Sequence, residues 1–196
     1  MRVPGLETHR LLIRQFVLDD LEAVRPLLNA GGGGAGAAAE EQAQWLRWTV
    51  LNYQELARLH QPPYGDRAIV AKETGSLIGA CGYVPLLGPF GQIPGMMPHQ
   101  GSSATVQNSP EVGLYWAVLP EQQRRGYATE AAQALVQYAF KTLNLQRVVA
   151  TTTYDNLASI AVMRKLGMRI ERNPCRDPAW LQIVGILRSP RTAASS

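Results

Sequence analysis

Residues 111–140 join a strand-like run to a helical run through a short basic loop. The run 111–118 (EVGLYWAV) alternates, and we expect one face to form sheet core, the face with Val112, Leu114, Trp116 and Val118. After QRRGYAT, small and apolar residues recur at helical spacing, at Ala128, Ala131, Ala132, Leu135, Val136, Ala139 and Phe140. The segment predicts a strand–loop–helix unit, the building block of α/β domains.

The loop, residues 123–129, has the composition of an anion-binding site. Backbone N–H groups at a helix N-terminus lack intrahelical acceptors, and the helix dipole adds positive potential there. Gly126 lets a ligand approach the backbone, and Ala128 is too small to obstruct it. The two arginines would add charge at the rim, and the threonine a hydroxyl. On these residues alone, a basic loop ending in a glycine turn is an equally good interpretation.

Composition restricts the function classes. The chain has 196 residues, 46% of them hydrophobic, which suits one well-packed domain. Its net charge of +4 is too small to indicate a partner, and it lacks a Lys/Arg run with interleaved aromatics. We therefore expect no nucleic-acid partner.

Cysteine, histidine and apolar patterning point to a metal-free cytoplasmic protein. Two cysteines and three scattered histidines indicate neither a disulfide framework nor a metal site. No apolar run approaches the roughly 20 residues that span a membrane, and the N-terminus has no signal-peptide core. We expect no membrane association.

The remaining segments complete the order β-α-α-β-β-β-α-β-α-β-β. A D-x-x-E pattern from Asp19 to Glu22 predicts the cap of the first helix, and Gly167 is placed to end the last one. Further helices are predicted at 40–60 and 156–166. The other strands are predicted at 9–16, 67–72, 77–84, 147–153, 168–171 and 181–187.

Two variable segments interrupt this order. Gly31 to Ala39 is glycine- and alanine-rich, which favours a flexible loop; a phosphate-binding loop would need a G-K-[ST] that is missing. Pro85 to Pro110 is long for an internal connection, so it is a functional loop or partly disordered. The tail 189–196 is expected to be disordered.

Four motifs in order resemble the GNAT acetyltransferase superfamily. Gln123 to Ala128 fits its Q/R-x-x-G-x-G/A signature, and the others are LETHRLLIRQFVLDD, E-x-G-x-Y-W at 111–116 and NLASIAVMRKLGM at 156–168. The chain looks most like the branch containing the ribosomal-protein N-terminal alanine and serine acetyltransferases. The resemblance covers residues 6–188. It implies one α/β domain whose mixed, partly parallel sheet has a splayed central strand pair and is flanked by helices.

This resemblance implies acetyl transfer from acetyl-CoA to a primary amine. The coenzyme's pyrophosphate would lie on the loop amides, and its pantetheine arm would run along the strand, placing Val118 and Leu119 beside the thioester. An N–H near Val118 would stabilise the oxyanion. Asn156 and Ser159 would contact the coenzyme, although Asn156 is also a good helix N-cap. The implied loop residues are Arg124, Arg125, Gly126, Tyr127, Ala128 and Thr129.

The acid–base residues are less well defined by the resemblance. Many family members place a proton-donating Tyr four residues beyond the Ser, where this chain has Met163. Glu111 is the candidate base, through water; the alternative is a solvated strand-end carboxylate. Tyr154 is either a proton donor or a packing residue.

The acceptor and the assembly stay open at this level. The branch suggests a protein N-terminus, while polyamines and aminoglycosides remain alternatives, because the variable segments select the acceptor. Met163 also supports a rival function, an acyl-CoA-binding sensor without turnover. A homodimer is one open arrangement.

Overall fold

The computed structural model describes residues 5–30, 38–96 and 108–190. These ranges form an α/β fold with four α-helices, which confirms the predicted fold class. The helices are α1 (Leu21–Asn29), α2 (Ala39–Arg58), α3 (Tyr127–Lys141) and α4 (Leu157–Lys165). The strands are β1 (Leu6–Glu7), β2 (Leu11–Arg14), β3 (Gly65–Ala71), β4 (Leu77–Gly88), β5 (Ser109–Val118), β6 (Arg147–Thr152), β7 (Arg169–Arg172) and β8 (Ile183–Arg188).

The chain divides into two compact units, and the first comprises Met1–Val84 and Tyr115–Tyr138. Its strands follow the order β1-β2-β3-β4-β5, with antiparallel pairing from β1 to β4. The Leu119 N–H donates to the Ile78 carbonyl at 2.9 Å, which joins the end of β5 to β4.

The second unit comprises Pro85–Leu114 and Ala139–Ser196. Its strand order is β5-β6-β8-β7, in which β8 is antiparallel to both neighbours. The pair β5–β6 is parallel, with the register Gly113↔Val149. This ladder is short for strands of ten and six residues, as expected of the splayed central strand pair. The predicted domain limits, 6–188, stay a prediction.

A buried apolar cluster fixes α1 and α2 on the sheet of the first unit. Leucine and valine side chains of α1 and one leucine of α2 meet alanine, valine and leucine side chains of β3 and β4. The members are Phe16, Val24, Leu27, Leu28, Leu46, Ala68, Val70, Leu77, Ala80 and Leu119. Burial of such a set is the main stabilising contribution to a unit of this size.

The helix of the strand–loop–helix unit forms as its periodicity predicts. The small and apolar residues of the α3 stripe are buried from Ala131 to Phe140, and Ala128 at its beginning is half-buried. Alanines at these positions let the helix backbone approach its neighbours closely. The stripe therefore sets the position of the loop that precedes it.

The predicted core face of β5 is wrong in part. Leu114 is buried, but Val112, Trp116 and Val118 are only half-buried. Tyr115 and Ala117, on the opposite face, pack against the apolar cluster. The side chains of β5 alternate between two faces as predicted, but both faces of residues 115–118 are partly exposed although β5 has neighbouring strands on both sides. We call residues 115–118, which are partly open to solvent, the open stretch of β5.

Two local predictions also need correction. The D-x-x-E cap at Asp19 is wrong: α1 begins at Leu21, and the Asp20 carboxylate instead accepts the Val17 N–H at 2.9 Å and pairs with Arg14. β4 continues through Pro85 to Gly88, so the long connection starts later than predicted. The predictions for 31–37, 97–107 and 191–196 fall outside the described residues.

Residues 5–30, 38–96 and 108–190 contain neither a membrane-spanning helix nor a cluster of metal-binding side chains. No helix there has both the length and the apolar character needed to cross a bilayer. Among the same residues, no group of three or more His, Cys, Asp and Glu side chains is arranged to hold a metal ion.

Candidate active site

The loop between β5 and α3 turns sharply twice before the helix begins. Arg124 has φ of 62° and Gly126 has φ of 82°, both in the left-handed region. Within α3, the Glu130 N–H donates to the Gly126 carbonyl at 3.0 Å. The amides of residues 127–129 precede this first bond and lie at the open end of the helix, where they are available to an anion.

Glycine suits position 126 of this loop for a conformational reason and a spatial one. Its positive φ is strained for most L residues. A Cβ added there would meet a single group, the Nη2 of Arg10, at 3.4 Å. Residues 123–126 are exposed, so the missing side chain leaves the backbone approachable from solvent. The donors and the space fit a pyrophosphate, as the resemblance implies.

Three residues, Thr8, Arg10 and Glu130, form a hydrogen-bonded group that contacts the loop between β5 and α3. We call them the loop clamp. The Glu130 carboxylate accepts bonds from the Thr8 hydroxyl at 2.6 Å, the Arg10 N–H at 2.9 Å and the Arg10 Nε at 2.7 Å. Arg10 Nη1 also donates to the Arg125 carbonyl at 3.0 Å, and its guanidinium lies 4.6 Å from the Tyr127 ring centroid. The clamp joins the start of the chain to both sides of Gly126.

The charges of the loop clamp do not change near neutral pH. Burial opposes ionisation of Glu130, but the bonds from Thr8 and Arg10 outweigh it and hold the pKa of this carboxyl below its usual range. Glu130 therefore stays anionic and Arg10 stays paired. Sequence reasoning missed this role; its only signal was the LETHR stretch, where a hydroxyl and a guanidinium precede β2.

The end of β5 is tied to the first residue of the signature. Gln123 Nε2 donates to the Val118 carbonyl at 3.1 Å, which closes the loop on the strand it follows. Val118 is half-buried, whereas Leu119 is buried in the apolar cluster and its N–H is already donated to Ile78. Leu119 therefore cannot supply an oxyanion donor. The predicted contacts of Val118 and Leu119 with the thioester stay predictions.

Glu111, the candidate base, lies in the second unit and is 6% exposed. Both of its oxygens accept bonds from the Arg147 guanidinium, Nε donating to Oε2 at 2.8 Å and Nη2 to Oε1. The alternative of a solvated strand-end carboxylate is wrong, because Glu111 is buried. The bidentate pair links β5 to β6 beside their parallel bridge, so Glu111 has a structural partner, and its role as base stays a prediction.

Tyr154 and Met163, the other two positions considered for acid–base chemistry, have structural contacts. The Tyr154 hydroxyl donates to the Asn173 carbonyl at 2.6 Å, and its ring lies 3.8 Å from the Arg172 guanidinium carbon. Met163 is fully buried. A Cβ at Gly185 would lie 3.0 Å from the Met163 sulfur, so this side chain belongs to the core of the second unit.

The N-terminus of α4 forms as predicted. The Asn156 Oδ1 accepts the Ser159 N–H at 3.0 Å, which confirms Asn156 as the N-cap. Gly167 follows the helix with φ of 77°, which confirms the predicted left-handed end. Both Asn156 and Ser159 lie in the second unit with Glu111, and their contacts with the coenzyme stay predictions.

Comparisons with known proteins agree with the signature. A family model described as an acetyltransferase (GNAT) domain matches residues 10–169. The chain is similar to an uncharacterized N-acetyltransferase of Bacillus subtilis strain 168, YnaD, at 28% identity over 170 residues, covering 85% of this chain and 83% of the relative.

Solved structures give the same result. An acetyltransferase from Agrobacterium tumefaciens str. C58 is 26% identical, with a TM-score of 0.68 and 96% of each chain covered. The ribosomal-protein-S5-alanine acetyltransferase from Vibrio fischeri shares the fold at 17% identity and a TM-score of 0.63, with 96% of this chain and 98% of that chain covered. The chain belongs to the GNAT family and is an acetyl-CoA-dependent N-acetyltransferase whose acceptor is an amine.

Proposed function

We propose that this acetyltransferase holds the pyrophosphate of acetyl-CoA on the amides of residues 124–129. One observation carries the proposal: the open N-terminus of α3 stands directly behind a glycine with φ of 82° and no side chain. Bound there, the coenzyme supplies an activated acetyl thioester. The exposed side chains of Arg124 and Arg125 add positive charge at the rim.

The chain's own residues supply binding and orientation. Gln123 and the loop clamp fix the loop, and the half-buried residues 115–118 of β5 are the expected path of the pantetheine arm. An amine attacks only as the neutral form, so its ammonium must first lose a proton. Glu111, which pairs with Arg147, is our candidate for receiving that proton through water.

For the acceptor, we propose the N-terminal amine of a protein. The support is the likeness of the four motifs to the ribosomal-protein branch. The fold neighbour from Vibrio fischeri bears a name of that kind. A polyamine or aminoglycoside is the second candidate, because the unusual composition of 31–39 and 85–110, the segments expected to select the acceptor, weakens transfer of the acceptor from relatives.

Thiol release separates these acceptors from a non-catalytic sensor. The panel contains acetyl-CoA with peptides beginning with Ala, Ser or Met, with spermidine and with an aminoglycoside. We expect free thiol to appear with the Ala- or Ser-initiated peptides, and mass spectrometry to show one acetyl group on their N-terminal amine. N-terminally blocked peptides serve as controls. Coenzyme binding without thiol release across the whole panel would favour the sensor.

Loss of the loop clamp is expected to weaken coenzyme binding. Arg10→Ala removes bonds to both Glu130 and the Arg125 carbonyl. Charge-assisted bonds contribute about 1.5–3 kcal/mol, and the 42% exposure of the Arg10 side chain reduces this to about 1.4 kcal/mol. The KM for acetyl-CoA should therefore rise about tenfold, while kcat changes little. Titration calorimetry and steady-state kinetics measure the two effects.

A matched control removes a surface arginine that lies outside the loop clamp. Arg58→Ala breaks an exposed pair with Glu55 and should leave the acetyl-CoA KM unchanged. Arg10→Lys, which keeps the charge but loses the forked geometry, should fall between wild type and Arg10→Ala. Equal KM values for wild type and Arg10→Ala would refute the clamp.

Assembly and location stay at the level of proposals. We propose a cytoplasmic enzyme, in keeping with its acetyl-CoA requirement, and a homodimer as one arrangement. Light scattering coupled to size exclusion would report the mass against the 21.4 kDa of one chain.

A further inference from the structure

We propose that Asp66 binds the cationic group of the acceptor, on the sheet face of the first unit that also carries Tyr115. The inference rests on the proposed function, since it assigns the amine a position in the same enzyme. It names the acceptor class as a primary ammonium, whether that group comes from a protein N-terminus or from a polyamine.

Asp66 is half-buried, and its carboxylate accepts no hydrogen bond from the described residues. It lies on β3, where it pairs with Gly82 of β4, and it is half-buried. In the ranges 5–30, 38–96 and 108–190, no N–H or O–H group donates to its carboxyl oxygens. Buried carboxylates normally have such donors, because desolvation of an unpaired charge is costly. Because Asp66 is half-buried, water reaches its carboxylate only in part, and a cationic ligand would supply the missing donors.

The neighbouring arginine does not neutralise this charge. Successive strand residues point to opposite faces, so Arg67 faces away from Asp66. Its charge lies near Cys81, Tyr83 and Tyr138. Burial alone accounts for the shift of the Asp66 carboxyl, whose pKa is raised to about 6.

Tyr115 of β5 and Asp66 of β3 lie on the same face of the sheet, with only Gly82 of β4 between them. The bond from the Leu119 N–H to the Ile78 carbonyl, and the approach of Gly79 to Val118, set an antiparallel register of β4 with β5. Continued along β5, this register places Tyr115 opposite Gly82 and so in one row with Asp66. Burial first, and then the Asp66 charge, raise the pKa of Tyr115, which agrees with that proximity.

Tyr53 of α2 fixes the backbone on the other side of Asp66. Its hydroxyl donates to the Asp66 carbonyl and accepts the Phe16 N–H at 3.1 Å. Burial raises the pKa of Tyr53 to about 12, so it stays protonated. The hydroxyl thus serves the main chain of Asp66 and leaves the carboxylate uncompensated.

The open stretch of β5 gives an ammonium access to this row. Residues 115–118 are half-buried although the strand has neighbours on both sides, and Asp66 is itself partly exposed. An ammonium can donate three N–H bonds, and its positive charge would compensate the negative charge of the Asp66 carboxylate. Tyr53 and Tyr115 both pack against the apolar cluster on this face. Aromatic side chains there would favour an organic cation over a hydrated metal ion.

The main test is the kinetic effect of Asp66→Asn on the acceptor. With the best acceptor from the panel, KM for the amine should rise at least about tenfold, an effect typical of loss of one charge-assisted bond, while KM for acetyl-CoA stays unchanged. Asp19→Asn, which changes an exposed carboxylate, should leave both constants unchanged. An unaltered acceptor KM in Asp66→Asn overturns the inference.

The pH dependence and the stability distinguish binding from a structural role. The wild-type acceptor KM should rise as pH falls through about 6, because the protonated carboxyl no longer attracts an ammonium; Asp66→Asn should lack this rise. Since a raised carboxyl pKa means that ionisation destabilises the fold above that pH, Asp66→Asn should be at least as heat-stable as wild type at pH 8. A lower Tm would indicate a structural residue.

A direct titration makes the test independent of turnover. Carbon-13 NMR of labelled aspartate should show the Asp66 carboxyl titrating near 6, and its pKa should fall when spermidine or an Ala-initiated peptide saturates the protein; the responding probe identifies the amine source. No change with either probe overturns the inference. Failure of wild type to bind acetyl-CoA, measured separately, would instead refute the proposed function.

Discussion

Gly126→Asp is expected to lower the affinity for acetyl-CoA at least about 100-fold, equivalent to about 2.7 kcal/mol. The carboxylate would stand in the space left by the missing side chain and repel a pyrophosphate at the helix N-terminus. Asp tolerates the left-handed conformation better than most residues, so the φ of 82° should not unfold the protein. Titration calorimetry measures the affinity, and circular dichroism checks the fold.

The same substitution at Gly75 supplies the control for backbone strain. Gly75 has φ of 68° and lies in the turn between β3 and β4, with no atom within 4 Å of an added Cβ. Gly75→Asp therefore imposes similar strain and the same charge, but away from the loop. It should bind acetyl-CoA as wild type does. If Gly126→Asp also bound normally, the pyrophosphate would have to lie elsewhere.

Arg147→Ala is expected to give the largest loss of stability. It leaves the Glu111 carboxylate, 6% exposed, without its bidentate partner. Breaking a buried pair costs about 3–5 kcal/mol, and the partial exposure of Arg147 reduces this to about 2–3 kcal/mol. For a chain of this size, Tm should fall by about 5–10 °C, measured by calorimetry.

Glu111→Gln separates the structural role from catalysis. Glutamine keeps the shape and one acceptor, so Tm should fall by less than in Arg147→Ala. If Glu111 is the base, kcat should fall about 100-fold in Glu111→Gln, in the range of general-base contributions, with a shallower pH dependence. An unchanged kcat would assign Glu111 to the Arg147 pair alone. An unchanged Tm in Arg147→Ala would show that the pair does not stabilise the fold.

The elements predicted correctly from the sequence are those determined by local pattern. Apolar spacing defines α3, and Asn156 and Gly167 mark the two ends of α4 by the bonds and dihedral angles that their own residue types favour. The turn at Gly126 is likewise local. These features depend on neighbours a few positions away, which is the range that periodicity and capping rules describe.

The features that the sequence did not predict depend on partners far apart along the chain. Arg10 meets Glu130 across 120 positions, and Glu111 meets Arg147 across 36. Asp66 lies one position before the strand predicted at 67–72. Only the packing of β3, β4 and α2 shows that no described residue donates to its carboxylate. The core face of β5 was misjudged for a related reason: alternation defines two faces, but tertiary contacts decide which one is covered.

The loop clamp gives the enzyme a coenzyme site that depends on completed folding. Thr8 and Arg10 leave the ribosome more than a hundred residues before Glu130, so the loop can take its final shape only after the α3 segment has been synthesised and docked. Acetyl-CoA that binds only this finished form stabilises it by mass action. The supply of the coenzyme would then influence how much of the newly made enzyme survives, as well as how fast it works.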